Sequence, residues 1–148
     1  MYNTRQNETK DFNMLMTRAS EYALLSLVTL ASATDPVDTE TLARDLNISK
    51  SFLAKILQSL ARQGILKSFK GVKGGFVLIQ PKEEITILSI MQAAEGKGPS
   101  VFDCSAGAGS CPSEQEGTCH IWPFIHNLQG KIDFFLANLT LADILEKK

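Results

Sequence analysis

Residues 49–64 read SKSFLAKILQSLARQG, and the fold turns on how that stretch is interpreted. Leu53, Ile56, Leu57, Leu60 and Ala61 recur at the 3.6-residue period of a helix that buries one face. Ser49 stands where an N-cap belongs, and Gly64 where a helix C-terminus favours a left-handed residue. The opposite face carries Lys50, Ser51, Ala54, Lys55, Gln58, Ser59 and Arg62, so it is polar and basic. Immediately upstream, Thr39–Leu46 predicts a short one-sided helix through Leu42, Ala43 and Leu46, with Asn47 and Ile48 as a tight connection. Two helices joined by a tight turn, the second amphipathic and basic, make a helix-turn-helix.

Beyond Gly64 the period changes to two. ILKSFK (65–70) and FVLIQ (76–80) read as short strands, joined by Gly71-Val72-Lys73-Gly74-Gly75, whose glycines admit the positive φ of a hairpin turn. A basic hairpin directly after the second helix is the wing of a winged helix. The charge distribution agrees with this placement. The net charge is −1, but residues 1–82 sum to +4 and residues 83–148 to −5. Between Asp45 and Glu83 lie seven bases and no acid: Lys50, Lys55, Arg62, Lys67, Lys70, Lys73 and Lys82. They divide between the helix face and the wing, and a positive field over one module is the footprint of a polyanion binder. Double-stranded DNA is the expected partner. Lys50, Ser51, Phe52 and Lys55 lie at the start and on the exposed face of the second helix, where side chains reach base edges. Lys70 and Lys73 on the wing are placed for phosphates or a minor groove. Phe52 has two readings, contact with a thymine methyl or packing against the preceding helix.

Upstream, residues 17–32 predict a helix with a wide apolar face and Thr17 as its N-cap, broken by Asp35 and Pro36. Residues 1–13 are polar and aperiodic, and read as a frayed tail or a stretch preceding a start at Met14. Downstream, Thr86 caps a helix through Ile87, Ile90, Met91 and Ala94 that Gly96 stops. A long helix from about Pro123 to Leu139 spaces Ile125, Leu128, Ile132, Phe135 and Leu139 at 3-4-3-4, a coiled-coil seam suited to a homodimer axis. Thr140 with Asp143 caps a final short helix. The expected fold class is mainly α with a small β wing, a winged helix-turn-helix plus a long C-terminal dimerisation helix. The expected division is a flexible tail (1–13), a DNA-binding domain (14–82), and a cysteine-bearing loop with the dimerisation helix (83–148).

Composition excludes several classes. At 148 residues with 44% hydrophobic and 21% charged, the chain has one domain's worth of core and is not a disordered tail. No run approaches the ~20 apolar residues of a membrane span, and the N-terminus has no apolar signal segment, so a cytoplasmic location is expected. The chain has no Cys-x-x-Cys pair, no phosphate-binding glycine fingerprint and no defensible nucleophile–base pair, so no enzyme is expected. Residues 97–118, KGPSVFDCSAGAGSCPSEQEGT, are too poor in apolar side chains to order themselves by packing. All three cysteines, Cys104, Cys111 and Cys119, lie in or directly after that segment. Their wide spacing suits a centre with corners several ångströms apart, such as an iron–sulfur cluster, 4Fe-4S or 2Fe-2S, better than a tight zinc knuckle. Zinc held by the three thiolates with His120 or His126, or three inert thiols, are the other readings.

From Met14 to Leu145 the chain resembles the IscR/NsrR family of winged-helix regulators that carry iron–sulfur clusters. The resemblance lies in MLMTRASEYALLSL, SKSFLAKILQSLARQGILKS, the wing KGVKGGFVL, three cysteines in the following loop, and a closing helix ending LANLTLADIL. It implies a homodimer on DNA, one cluster per subunit near the dimer interface, and an affinity for DNA set by cluster state. IscR-like proteins place a histidine ligand three residues after the third cysteine, where this chain has Trp122. NsrR-like proteins take an acid just before the aromatic residue of the first helix, from the partner subunit, and the matching residue is Glu21. Glu21 is therefore the implied fourth ligand, with His120 second, and Asp103, Glu114 and Glu116 also near in sequence. Ala54 and Lys55 depart from the IscR-type residues, so the resemblance implies no target sequence. The expected function is a repressor whose operator binding responds to nitric oxide, redox state or iron supply through the cluster. A zinc-binding or thiol-oxidation-sensing winged-helix regulator is the alternative.

Overall fold

A computed structural model describes residues 16–101 and 119–146. The expectations about residues 1–13, Cys104, Cys111, Asp103, Glu114 and Glu116 fall outside those residues. Helix α1 (Arg18–Ala31) begins where the Thr17 hydroxyl accepts from the Ser20 amide at 3.3 Å, the expected cap. Helix α2 (Thr39–Leu46) is capped by Asp38, whose carboxylate accepts from the Thr41 amide at 2.7 Å and the Thr41 hydroxyl at 3.0 Å. Those donors, the amide first, hold the Asp38 carboxyl below the usual carboxylate range. The α2–α3 turn is tight because Asn47 takes the left-handed conformation (φ 55°), returning the Ile48 amide to the Ala43 carbonyl at 2.9 Å. Helix α3 (Lys50–Arg62) follows. Ser49 occupies its N-cap position but makes no side-chain cap bond; its hydroxyl lies 3.1 Å from that of Ser51. Gly64 (φ 78°) ends the helix as expected, with the Ile65 amide donating to the Leu60 carbonyl at 3.1 Å.

Strands β1 (Leu66–Phe69) and β2 (Gly75–Leu78) pair antiparallel, with Leu66 opposite Leu78 and Phe69 opposite Gly75. The hairpin is tied to the helices by a further bridge: Val37, between α1 and α2, exchanges backbone bonds with Phe76 at 3.2 and 2.9 Å. Gly75 (φ 150°) lies so close to the Val37 backbone that a Cβ there would collide with it. Helix α4 (Ile87–Glu95) is capped by Thr86, whose hydroxyl accepts from the Ser89 amide at 3.0 Å, and ends at left-handed Gly96. Helix α5 (Trp122–Ala137) is followed by α6 (Leu141–Glu146), whose Thr140 amide donates to Asp143 at 2.8 Å. Thr86 and Thr140 form an isolated bridge that joins the start of α4 to the start of α6.

The core is built from Leu27 of α1, Leu42 of α2, Leu53, Leu57 and Leu60 of α3, Leu66 of β1, Ile85, Ile90 and Met91 around α4, and Leu141 of α6, all fully buried. Helix α4 packs on α1 and α3, α6 on α1, and α5 on α4. The architecture is mainly α with a two-stranded wing, the expected class. Among the described residues no helix is long and apolar enough to cross a membrane.

Two details differ from the sequence expectation. Ser59, placed on the solvent face of α3, is half-buried and its hydroxyl donates to the Ala93 carbonyl of α4. The seam expected along the last helix is also divided. Ile125 is buried, Ile132 and Leu139 pack against the chain's own core, and Phe135 is 62% exposed. Helix α5 ends at Ala137, so Leu139 lies beyond it. The reason is that α5 needs an apolar stripe to sit on α4, and that stripe takes Ile125 and Ile132 of the heptad positions, with Leu136 added.

Candidate nucleic-acid interface and cysteine segment

The first surface follows from how α3 is seated. With Leu53, Ile56, Leu57 and Leu60 buried, its 3.6-residue period leaves Lys50, Ser51, Lys55, Gln58 and Arg62 exposed on the outer face. Lys50 lies 3.7 Å from Glu40 of α2, an exposed pair that contributes little to stability and leaves the ammonium free to change partner. Phe52 is 39% exposed, and its ring meets Tyr22 of α1 edge-on at 5.7 Å between centroids. The contact joins α1, not the preceding helix α2, to the start of α3 and leaves part of the ring exposed. On the wing, Lys70 and Lys73 are exposed either side of Val72, which is fully exposed at the tip, and the Lys67 ammonium lies 5.2 Å from the Phe69 ring centre. The bases of α3 and the wing thus all stand in solvent, and none is buried or held by a short ion pair among the described residues.

The second surface is at the other end of the chain. Of the expected metal ligands, Cys119 is half-buried just before α5, with its carbonyl accepting from the Trp122 amide at 3.4 Å. Glu21 is exposed in the first turn of α1, one residue before Tyr22. His120 is exposed, and the exposed His126 ring stacks on Trp122 at 5.1 Å. The described residues contain no group of three or more His, Cys, Asp or Glu side chains able to hold a metal ion. Cys104 and Cys111 lie in the undescribed segment between Val101 and Cys119. The residues either side of that segment both lie at α5: Cys119 directly precedes its first turn, and Pro99 and Val101 bond Gln129 about two turns along, roughly 10 Å away at 1.5 Å per residue.

Gln129 is a residue that sequence reasoning passed over. It follows Ile125 by four and precedes Leu136 by seven, so it lies on the inward stripe, and a polar residue there was the available signal. Tyr22, Ser20 and Ser59 were missed as contacts between helices, because nothing local distinguishes them; Ser20 donates to Glu95 of α4 at 3.1 Å. Among the described residues nothing covers the outward side of α5, where Ile121, Phe124, Phe134 (73%) and Phe135 are exposed. Trp122, His126, Gly130 and Phe134 line a shallow groove of about 820 Å³ along it.

Residues 16–147 match the family described as "Rrf2: Iron-dependent Transcriptional regulator". YwgB of Bacillus subtilis (strain 168), a protein named as an HTH-type transcriptional regulator, is 33% identical over 107 residues. That match takes in 72% of this chain and spans 65% of YwgB. The fold is similar to that of CymR, the global cysteine regulator of B. subtilis, with a TM-score of 0.67 at 21% identity over 90% of this chain and 97% of the other. It is also similar to T. potens IscR, with a TM-score of 0.64 at 21% identity over 88% and 85%.

Proposed function

The chain belongs to the Rrf2 family of transcription regulators, and from that premise we propose that it binds an operator as a homodimer under the control of a metal centre on its cysteine segment. It is a DNA-binding winged-helix regulator, not an enzyme. The finer reading is a cytoplasmic repressor with an iron–sulfur cluster, 4Fe-4S or 2Fe-2S, held by Cys104, Cys111 and Cys119 of one subunit and Glu21 of the partner subunit. Residues 14–82 would then act as the DNA-binding unit and 83–148 as the sensing and pairing unit.

The observation that carries this reading is that Pro99 and Val101 on one side of the cysteine segment, and Cys119 on the other, both lie at α5, about two turns apart. Three cysteines spaced this widely in sequence suit an iron–sulfur cluster better than a tight zinc knuckle. The family's description as iron-dependent supports iron as the metal. When bound, the cluster would supply a site that small oxidants and nitric oxide attack, most readily at an oxygen-ligated corner.

The chain's own residues supply the link to DNA. Glu21 adjoins Tyr22, and Tyr22 touches Phe52 at the start of α3, so a load on the first turn of α1 reaches the recognition helix through one ring contact. Phe134 and Phe135 on the outward side of α5 would pack against a second copy, fixing the spacing of the two α3 helices on two half-sites. Lys50, Ser51 and Lys55 would face base edges and nearby phosphates, Phe52 would position α3, and Lys70 and Lys73 would take phosphates beside the wing.

Purification without air tests the centre. The expected result is a brown protein containing iron and acid-labile sulfide that selects a two-half-site duplex from a random library. Equal affinity of metal-free and loaded protein for that duplex would sink the switch, because a ligand with no differential affinity shifts nothing. A colourless protein whose duplex affinity responds to thiol oxidation would instead select the thiol-sensing reading, which the likeness to CymR makes the natural rival.

A further inference from the structure

Among the described residues, Gln129 of α5 bonds the chain just before the cysteine segment. Gln129 is 8% exposed, and its carboxamide is engaged at both ends. Its Oε1 accepts from the Val101 amide at 2.8 Å, while Nε2 donates to the Pro99 carbonyl at 2.8 Å and to Asp133 Oδ1 at 2.8 Å. The orientation is forced, since the Val101 amide can meet only the oxygen and the Pro99 carbonyl only the nitrogen. Bonding the carbonyl of one residue and the amide two residues on is how a parallel strand pairs with its neighbour; here a side chain does it. Asp133, one turn further along α5, holds the carboxamide in that plane.

The same stretch of chain is fixed at its other end. The Ala93 carbonyl takes the Ser59 hydroxyl of α3, and Glu95 takes the Ser20 hydroxyl of α1. Residues 96–101 therefore run from a point held by the recognition helix and α1 to a point held by α5, three residues before Cys104.

We propose that Gln129 is a positioning residue that latches the root of the cysteine segment to α5, so that a change of state at the thiols shifts α5 relative to α4 instead of being absorbed as slack. The use made of the latch rests on the sensing reading above; the latch itself does not. The test uses the full chain, reduced and metal-free, with Gln129→Leu, which keeps the volume and removes every polar atom, and Gln129→Glu. The glutamate keeps an acceptor for Val101, loses the donor to Pro99 and sets a second carboxylate against Asp133.

Hydrogen exchange at the Val101 amide is expected to be at least about tenfold faster in Q129L, and less accelerated in Q129E, while the amides of Leu57 and Leu60 keep their protection. In the same proteins, affinity is measured for a duplex selected by untreated wild type, before and after blocking the thiols with N-ethylmaleimide. Wild type is expected to change affinity on blocking; Q129L is expected to bind like untreated wild type in both states. Unaltered Val101 protection in Q129L, or a full wild-type response to blocking, overturns the latch. Wild-type binding indifferent to blocking, with Val101 protection still lost in Q129L, would strike the sensing reading and leave Gln129 as the anchor.

Discussion

Helices α3 and α5 are similar in length and both amphipathic, yet they present opposite kinds of surface. In α3 the apolar residues Leu53, Ile56, Leu57 and Leu60 are all taken up by the chain's own core, and what faces outward is basic. In α5 the own core takes Ile125, Ile132 and Leu136, and aromatic residues remain outside. The difference bears on the partner proposed for each helix. Exposed lysines gain most from a polyanion, whose counterions they release, whereas an exposed phenylalanine gains about 1.5–3 kcal/mol only by leaving water.

Substitutions can break this contrast, beginning with the most damaging. Leu57→Ala removes a fully buried side chain from α3 and is expected to cost about 2–5 kcal/mol of stability, read from urea unfolding, with DNA binding lost alongside. A loss below 1 kcal/mol would mean that α3 is not anchored as described. Phe134→Glu with Phe135→Glu should leave the monomer's melting nearly unchanged but weaken self-association by about 2 kcal/mol or more, roughly thirtyfold, seen by sedimentation over a dilution series. If the pair unfolds the monomer instead, that side of α5 belongs to the core and the contrast collapses.

Smaller changes sharpen it. Lys55→Ala is expected to cost about 1–3 kcal/mol on the selected duplex and little on random DNA; an equal loss on both reassigns Lys55 to phosphate. Lys73→Ala should weaken all duplexes alike and lower the slope of log affinity against log salt by about one, measured by fluorescence anisotropy. The least effect belongs to Asp38. Its carboxyl is depressed in the fold, so the α2 cap contributes above the pH where an unfolded aspartate ionises and is lost as pH falls through the folded value. An NMR titration should find Asp38 ionising below an unfolded-chain aspartate; titration at the ordinary aspartate value would remove the cap from the account.

Most of the DNA-facing half could be read in advance because its signals are local. A stripe at 3.6 residues, Asn47 and Gly64 at left-handed positions, and glycines between two alternating segments each constrain the backbone within a few residues. Even there the residues that join helices escaped notice: Ser59 looks like any solvent-face serine until α4 lies over it, and Phe52 could not be placed without Tyr22. The cysteine segment was harder to read. Its residue types point to a ligand set, but Gln129 acts through Pro99 and Val101, thirty and twenty-eight residues away in the chain.

The amino-acid order alone determined the helix-turn-helix, the wing and the basic surface they share, because periodicity, turn chemistry and charge act over one or two turns of chain. Only the tertiary structure decided which side of α5 the described residues leave exposed and which side chain holds Pro99 and Val101. A heptad pattern offers more apolar positions than one neighbour can cover, and their division depends on where α4 lies. A carboxamide becomes an anchor only when burial takes water away from the backbone groups it meets.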